Sequence, residues 1–139
     1  MKPVHAINHI GIAVKSIADQ RPFYEGTLGA IFEGEEIVAD QRVKVGFFRV
    51  ADVRLELLEP TDEESTIAKF IEKRGEGLHH IAYTVDDLTA RLAELKEGGL
   101  RLIDETPRAG AHHTRIAFLH PKSSCGVLTE LCEPAKANQ

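Results

Sequence analysis

The sequence has 139 residues, with 17 Lys and Arg against 22 Asp and Glu, a formal net charge of −5. Hydrophobic residues at 42% and charged residues at 28% are ordinary globular usage, which excludes a disordered or collagen-like chain. The acidic balance, the absence of Trp and a count of two Tyr exclude the basic footprint and stacking platforms of a nucleic-acid binder. Apolar runs are too short to span a bilayer. Met1-Lys2-Pro3-Val4-His5 leads into polar Asn8 and His9 rather than a signal-peptide core. The expectation is a cytoplasmic protein, or a mitochondrial-matrix protein after processing in a eukaryote, with neither nucleic acid nor membrane as partner. Cys125 and Cys132 flank one predicted strand without CxxC spacing, which predicts reduced thiols.

Residues 5–14 alternate and are rich in β-formers, predicting a strand. Ser16 is a helix N-cap, and the helix it opens is expected to reach Tyr24 or Thr27 before Gly26 and Gly29 end it. Strands follow at 30–38, 43–50 and 54–59. Ile67, Phe70 and Ile71 have helical spacing, predicting a linking helix over about 63–75 that Gly75 and Gly77 close. A second strand-and-helix pattern then begins. Residues 79–85 read as a strand, Asp87 caps a helix through Lys96, and Gly98-Gly99 stops it. Strands are expected at 100–103, 114–119 and 126–132. Between the first two of these, 108–113 reads as a loop of small and polar residues suited to the edge of a site.

The two halves repeat one another. Asn8-His9-Ile10-Gly11-Ile12-Ala13-Val14 returns as His79-His80-Ile81-Ala82-Tyr83-Thr84-Val85, 71 residues on from His9 to His80. Leu55-Glu56-Leu57-Leu58-Glu59-Pro60 returns as Thr129-Glu130-Leu131-Cys132-Glu133-Pro134, 74 residues on from Glu56 to Glu130. His precedes Glu by 47 residues in the first copy and by 50 in the second. The chain is therefore two fused βαβββ modules, about 5–60 and 77–134. Neither is large enough to bury much core alone, so they form one α+β domain.

Side chains alternate across a strand, so His9, Gly11 and Ala13 share one face, as do His80, Ala82 and Thr84. Both histidines thus lie on the face of small residues, which leaves room for something other than protein. Glu56 shares a face with Arg54 and Leu58. Glu130 shares one with Leu128 and Cys132, an apolar setting that is costly for an unpaired carboxylate. Two imidazoles and two carboxylates recurring in phase suit a divalent cation held by His9, Glu56, His80 and Glu130, with positions left open for substrate oxygens. Glu59 and Glu133 precede prolines on the opposite face and read as structural. His79 faces away from His80.

These segments resemble the vicinal oxygen chelate superfamily, which includes glyoxalase I and the extradiol dioxygenases. Within it they resemble the methylmalonyl-CoA epimerases, notably Gly75-Glu76-Gly77-Leu78-His79-His80-Ile81-Ala82 and Phe118-Leu119-His120-Pro121-Lys122. The resemblance covers nearly the whole chain. It implies two modules forming an incomplete barrel of the glyoxalase/bleomycin-resistance type, and a homodimer. It implies metal at His9, His80 and Glu130, with Glu56 as a further ligand, and Co²⁺ before Mn²⁺, Ni²⁺, Zn²⁺ or Fe²⁺. The family's catalytic glutamate before the third strand falls on Asp40 in Ala39-Asp40-Gln41-Arg42-Val43, one methylene shorter, and Arg42 replaces a common Gly. The implied reaction is epimerisation of methylmalonyl-CoA at C2 in propionate metabolism, by proton abstraction through a metal-stabilised enolate. Glu130 and Asp40 would act on opposite faces of the carbon. Arg108, Lys122 and His113 would contact the carboxylate or CoA phosphates of the acyl-CoA substrate. The same site could serve a lactoylglutathione-lyase type of isomerisation, and the fold alone could serve a metal-free small-molecule binding module.

Overall fold

A computed structural model describes residues 2–135. It is a mixed α+β fold whose eight strands run in the order β2-β3-β4-β1-β5-β8-β7-β6. By its contacts the chain falls into two compact units. One runs His9–His79. The other joins the segment ending at Asn8 to the chain from His80 onward. Strand β1 (Ala6–Ala13) begins in the second unit and continues into the first.

In the first unit, β1 leads to helix α1 (Ile17–Arg21), capped by Ser16, whose side chain accepts from the Asp19 N–H. Pro22 has no N–H with which to continue the regular turn. The chain widens there into a six-residue π-type turn, Pro22–Thr27, closed by the Leu28 N–H donating to the Phe23 carbonyl at 2.9 Å. This divides the predicted helix into two turn types. Strands β2 (Ile31–Val38), β3 (Val43–Val50) and β4 (Val53–Pro60) follow, then helix α2 (Thr66–Arg74). β2–β3 and β3–β4 are antiparallel, whereas β4 runs parallel to β1. Val14, Ile17, Ala30, Phe48 and Leu57 form the core beneath α1, with Ile12, Tyr24, Phe32 and Leu55 packed against it.

In the second unit, β5 (Gly77–Thr84) crosses into the unit at His80 and leads to helix α3 (Leu88–Glu97), which Asp87 caps by accepting from the Ala90 N–H. Strands β6 (Arg108–Ala109), β7 (Arg115–Leu119) and β8 (Thr129–Glu133) complete it. β5 and β8 are parallel, and β7 is antiparallel to both β6 and β8. Val85, Leu88, Leu92, Ala117, Leu119 and Leu131 make its core. The start of β1 lies beside β5, with the His5 N–H donating to the Thr84 carbonyl at 2.9 Å.

The predicted strand at 100–103 does not form. Leu102 makes a single bridge to Leu119. The Ile103 and Asp104 N–H groups both donate to the Phe118 carbonyl, while the Asp104 carboxylate accepts from the Phe118 N–H at 2.8 Å. This side-chain bond competes with a ladder, and the edge of β7 goes instead to β6 at the start of the predicted loop. The predicted strand at 126–132 begins only at Thr129, because 125–127 form a turn in which the Gly126 N–H donates to the Pro121 carbonyl. Both cysteines are free, Cys125 exposed and Cys132 buried. No helix among the described residues is long and apolar enough to cross a membrane.

Candidate functional site

Each unit builds a His–Glu pair by the same device. In the first, β1 and β4 run parallel with Gly11 opposite Glu56. His9, two residues before Gly11 on the same face, brings its Nδ1 to 3.2 Å from Glu56 Oε2. In the second, β5 and β8 run parallel with Ala82 opposite Glu130. His80, two residues before Ala82, brings its Nε2 to 3.4 Å from Glu130 Oε1. The small residue at the paired position leaves space over the sheet for the imidazole to lean across to the carboxylate.

All four side chains are buried: His9 is 4% exposed, Glu56 6%, His80 5% and Glu130 3%. Burial, with the charge of Arg54 in addition, pushes the His9 imidazole down to about 3, so it is neutral at ordinary pH. Burial pushes the Glu56 carboxyl up to about 7; Arg54 opposes this and Glu36 adds to it. A neutral imidazole beside a carboxyl that resists ionising is a donor set that a cation would complete.

A phenylalanine stands against each glutamate. Phe47 on β3 pairs with Glu56, and Phe118 on β7 pairs with Glu130. Phe118 also meets the His80 ring edge-on, with centroids 5.5 Å apart. An arginine lies over each phenylalanine: the Arg54 and Arg108 guanidinium carbons are both 5.3 Å from their ring centroids. Sequence reading did not find either phenylalanine. The signal was available by counting back from each glutamate through the hairpin that precedes it, once the hairpin's register is known.

Asp40 lies exposed in the single turn of 3₁₀ helix Ala39–Gln41 between β2 and β3. That turn ends at Arg42 in the left-handed region (φ 52°), where the common Gly of the resemblance would sit without strain. Arg108 is exposed on β6, with its Nε 3.4 Å from Asp104. His113 is exposed at a left-handed position (φ 58°) in the turn before β7. Lys122 is exposed in the turn Pro121–Ser124, where its N–H donates to His120 Nδ1 at 3.1 Å. His79 packs edge-on to Phe70 at 4.9 Å, as expected of a residue facing away from His80, and burial followed by the Arg74 charge pushes it down to about 4.

Glu59 and Glu133, read as structural, each close a helix N-terminus. Glu59 Oε1 accepts from the Ile17 N–H at 2.8 Å, and Glu133 Oε1 accepts from the Leu88 N–H at 3.0 Å.

The chain belongs to the glyoxalase/bleomycin resistance protein/dioxygenase superfamily, whose profile it matches over residues 8–118. It is 40% identical over 127 residues to the ethylmalonyl-CoA/methylmalonyl-CoA epimerase of Cereibacter sphaeroides, covering 90% of this chain and 95% of that one. The crystal structure of methylmalonyl-CoA epimerase from Mycobacterium tuberculosis superposes with a TM-score of 0.91 at 41% identity, over 96% of this chain and 90% of the other. A methylmalonyl-CoA epimerase in complex with methylmalonyl-CoA and NH₄⁺ superposes with a TM-score of 0.90 at 38% identity, over 96% of each chain. Similarity of this extent indicates an epimerase, an enzyme of the isomerase class.

Proposed function

We propose that the chain epimerises methylmalonyl-CoA at C2 and that a divalent cation takes part. The observation that carries the reading is the His–Glu pair found twice, buried, at matching positions of the repeat. His9, His80 and Glu130 each offer one ligand atom, and we assign Glu56, whose carboxylate meets His9 at 3.2 Å, as a further ligand. Two imidazole nitrogens and carboxylate oxygens suit Co²⁺, Mn²⁺, Ni²⁺, Zn²⁺ or Fe²⁺, with Co²⁺ our first choice. When bound, the cation supplies Lewis-acid stabilisation of the negative charge that develops on the substrate's oxygens.

The chain's own residues supply proton transfer and binding. C2 lies between a carboxylate and a thioester carbonyl, so its C–H bond can break with the electron pair moving into the thioester carbonyl. Epimerisation returns a proton to the opposite face, which calls for an acid–base group on each side. We assign these roles to Glu130, at the buried end of the site, and Asp40, on the turn after β2. Arg108, Lys122 and His113 are assigned to the carboxylate or the CoA phosphates. The chain is expected to work as a homodimer, in propionate metabolism.

Conversion of one epimer of methylmalonyl-CoA to the other, measured with and without chelator, tests the reading. Conversion that chelation abolishes and Co²⁺ restores supports it; none from the metal-loaded protein contradicts it. Two variants separate the roles. His80→Ala is expected to lose bound metal and turnover together, read by elemental analysis and rate. Asp40→Asn is expected to keep the metal and lose turnover by on the order of 10²-fold or more. Unchanged turnover removes Asp40 from the mechanism.

A further inference from the structure

Two arginines share one glutamate beside the His9–Glu56 pair. Arg49 on β3 and Arg54 on β4 are opposite one another in the register. Arg49 Nε donates to Glu33 Oε2 at 2.9 Å, while Arg54 Nε lies 3.6 Å from Glu33 Oε1. The Arg54 Nε atom is buried and has only this long contact to Glu33, so a better-placed acceptor would satisfy it more fully.

The place of Arg54 says which acceptor. It precedes Glu56 by two residues on β4, so the two side chains share a face. It pairs with His9 in the parallel register. Its guanidinium lies over Phe47, the ring that faces Glu56. A ligand seated at His9 and Glu56 therefore has a guanidinium fork at its margin, and the fork's planar donors match a carboxylate. Arg49 keeps Glu33 neutralised when Arg54 turns to a ligand.

We propose that Arg54 is a specificity-determining residue that binds the free carboxylate of the substrate. It makes the protein prefer malonyl-type thioesters to acyl thioesters without a second carboxylate. The proposal rests on the epimerase reading for its choice of substrate, but binding rather than turnover tests it.

Dissociation constants of methylmalonyl-CoA and propionyl-CoA are measured by calorimetry for the metal-loaded wild type, Arg54→Gln and Arg54→Lys, after circular dichroism has shown the variants folded. The two ligands differ only in the carboxylate. Arg54→Gln is expected to weaken methylmalonyl-CoA by about tenfold or more and leave propionyl-CoA unchanged, with Arg54→Lys in between. Equal weakening of both ligands, or of neither, overturns the proposal, as does a wild type that does not bind methylmalonyl-CoA. A wild type that binds methylmalonyl-CoA without epimerising it removes the epimerase reading alone, since the Arg54 comparison is still read from binding.

Discussion

Glu59 and Glu133 show how one residue type does different work at positions a few residues apart. Glu56 and Glu130 turn inward, whereas the glutamates three residues later accept from the first N–H of α1 and α3. An N-terminal acceptor of this kind contributes about 0.5–2 kcal/mol. Glu59→Ala and Glu133→Ala are each expected to lower stability by about 1 kcal/mol, read as a lower urea midpoint at unchanged slope. An unchanged midpoint in both would show that the caps contribute nothing. The inward His and Glu residues were legible in the sequence because they recur in phase. Phe47 and Phe118 were not, because what a strand residue faces depends on pairing register, and the hairpins before Glu56 and Glu130 differ in length. The partner of Arg54 depends likewise on Glu33, beyond an irregularity in the β2–β3 register.

At the scale of elements, α1 packs on a strand that makes room for it. A Cβ added to Gly46 on β3 would come within 2.9 Å of Ile17 Cγ2 and 3.3 Å of Ile17 Cδ1. Ile17 is fully buried and cannot swing aside. Gly46→Ala is therefore expected to cost about 1–3 kcal/mol by overpacking, read as a fall in Tm; an unchanged Tm would mean that α1 shifts freely. Strand and helix identities followed from periodicity and caps: Ser16 and Asp87 open helices, and Gly75 and Gly98 stand at helix ends. The errors lie where a side chain overrides the pattern. Asp104 takes the Phe118 N–H and dissolves the strand at 100–103, and Pro22 widens the first helix. The Asp104 bond cannot be read from spacing alone, whereas Pro22 was a visible break.

At the scale of the molecule, the repeat explains why each unit carries the same parallel strand pair, a small residue opposite the glutamate (Gly11 or Ala82) and the same helix cap. The two copies differ in their charged residues and turns. The first has a second arginine on Glu33; the second has the turns that carry His113 and Lys122. The central claim is metal-assisted removal of the C2 proton, and proton NMR of methylmalonyl-CoA in D₂O tests it most directly. With the metal-loaded protein, the C2 proton signal is expected to vanish by exchange. Chelator should stop the loss, and added Co²⁺ should restore it. A C2 signal that persists with metal-loaded protein would contradict the account and make a glutathione hemithioacetal the next substrate to try.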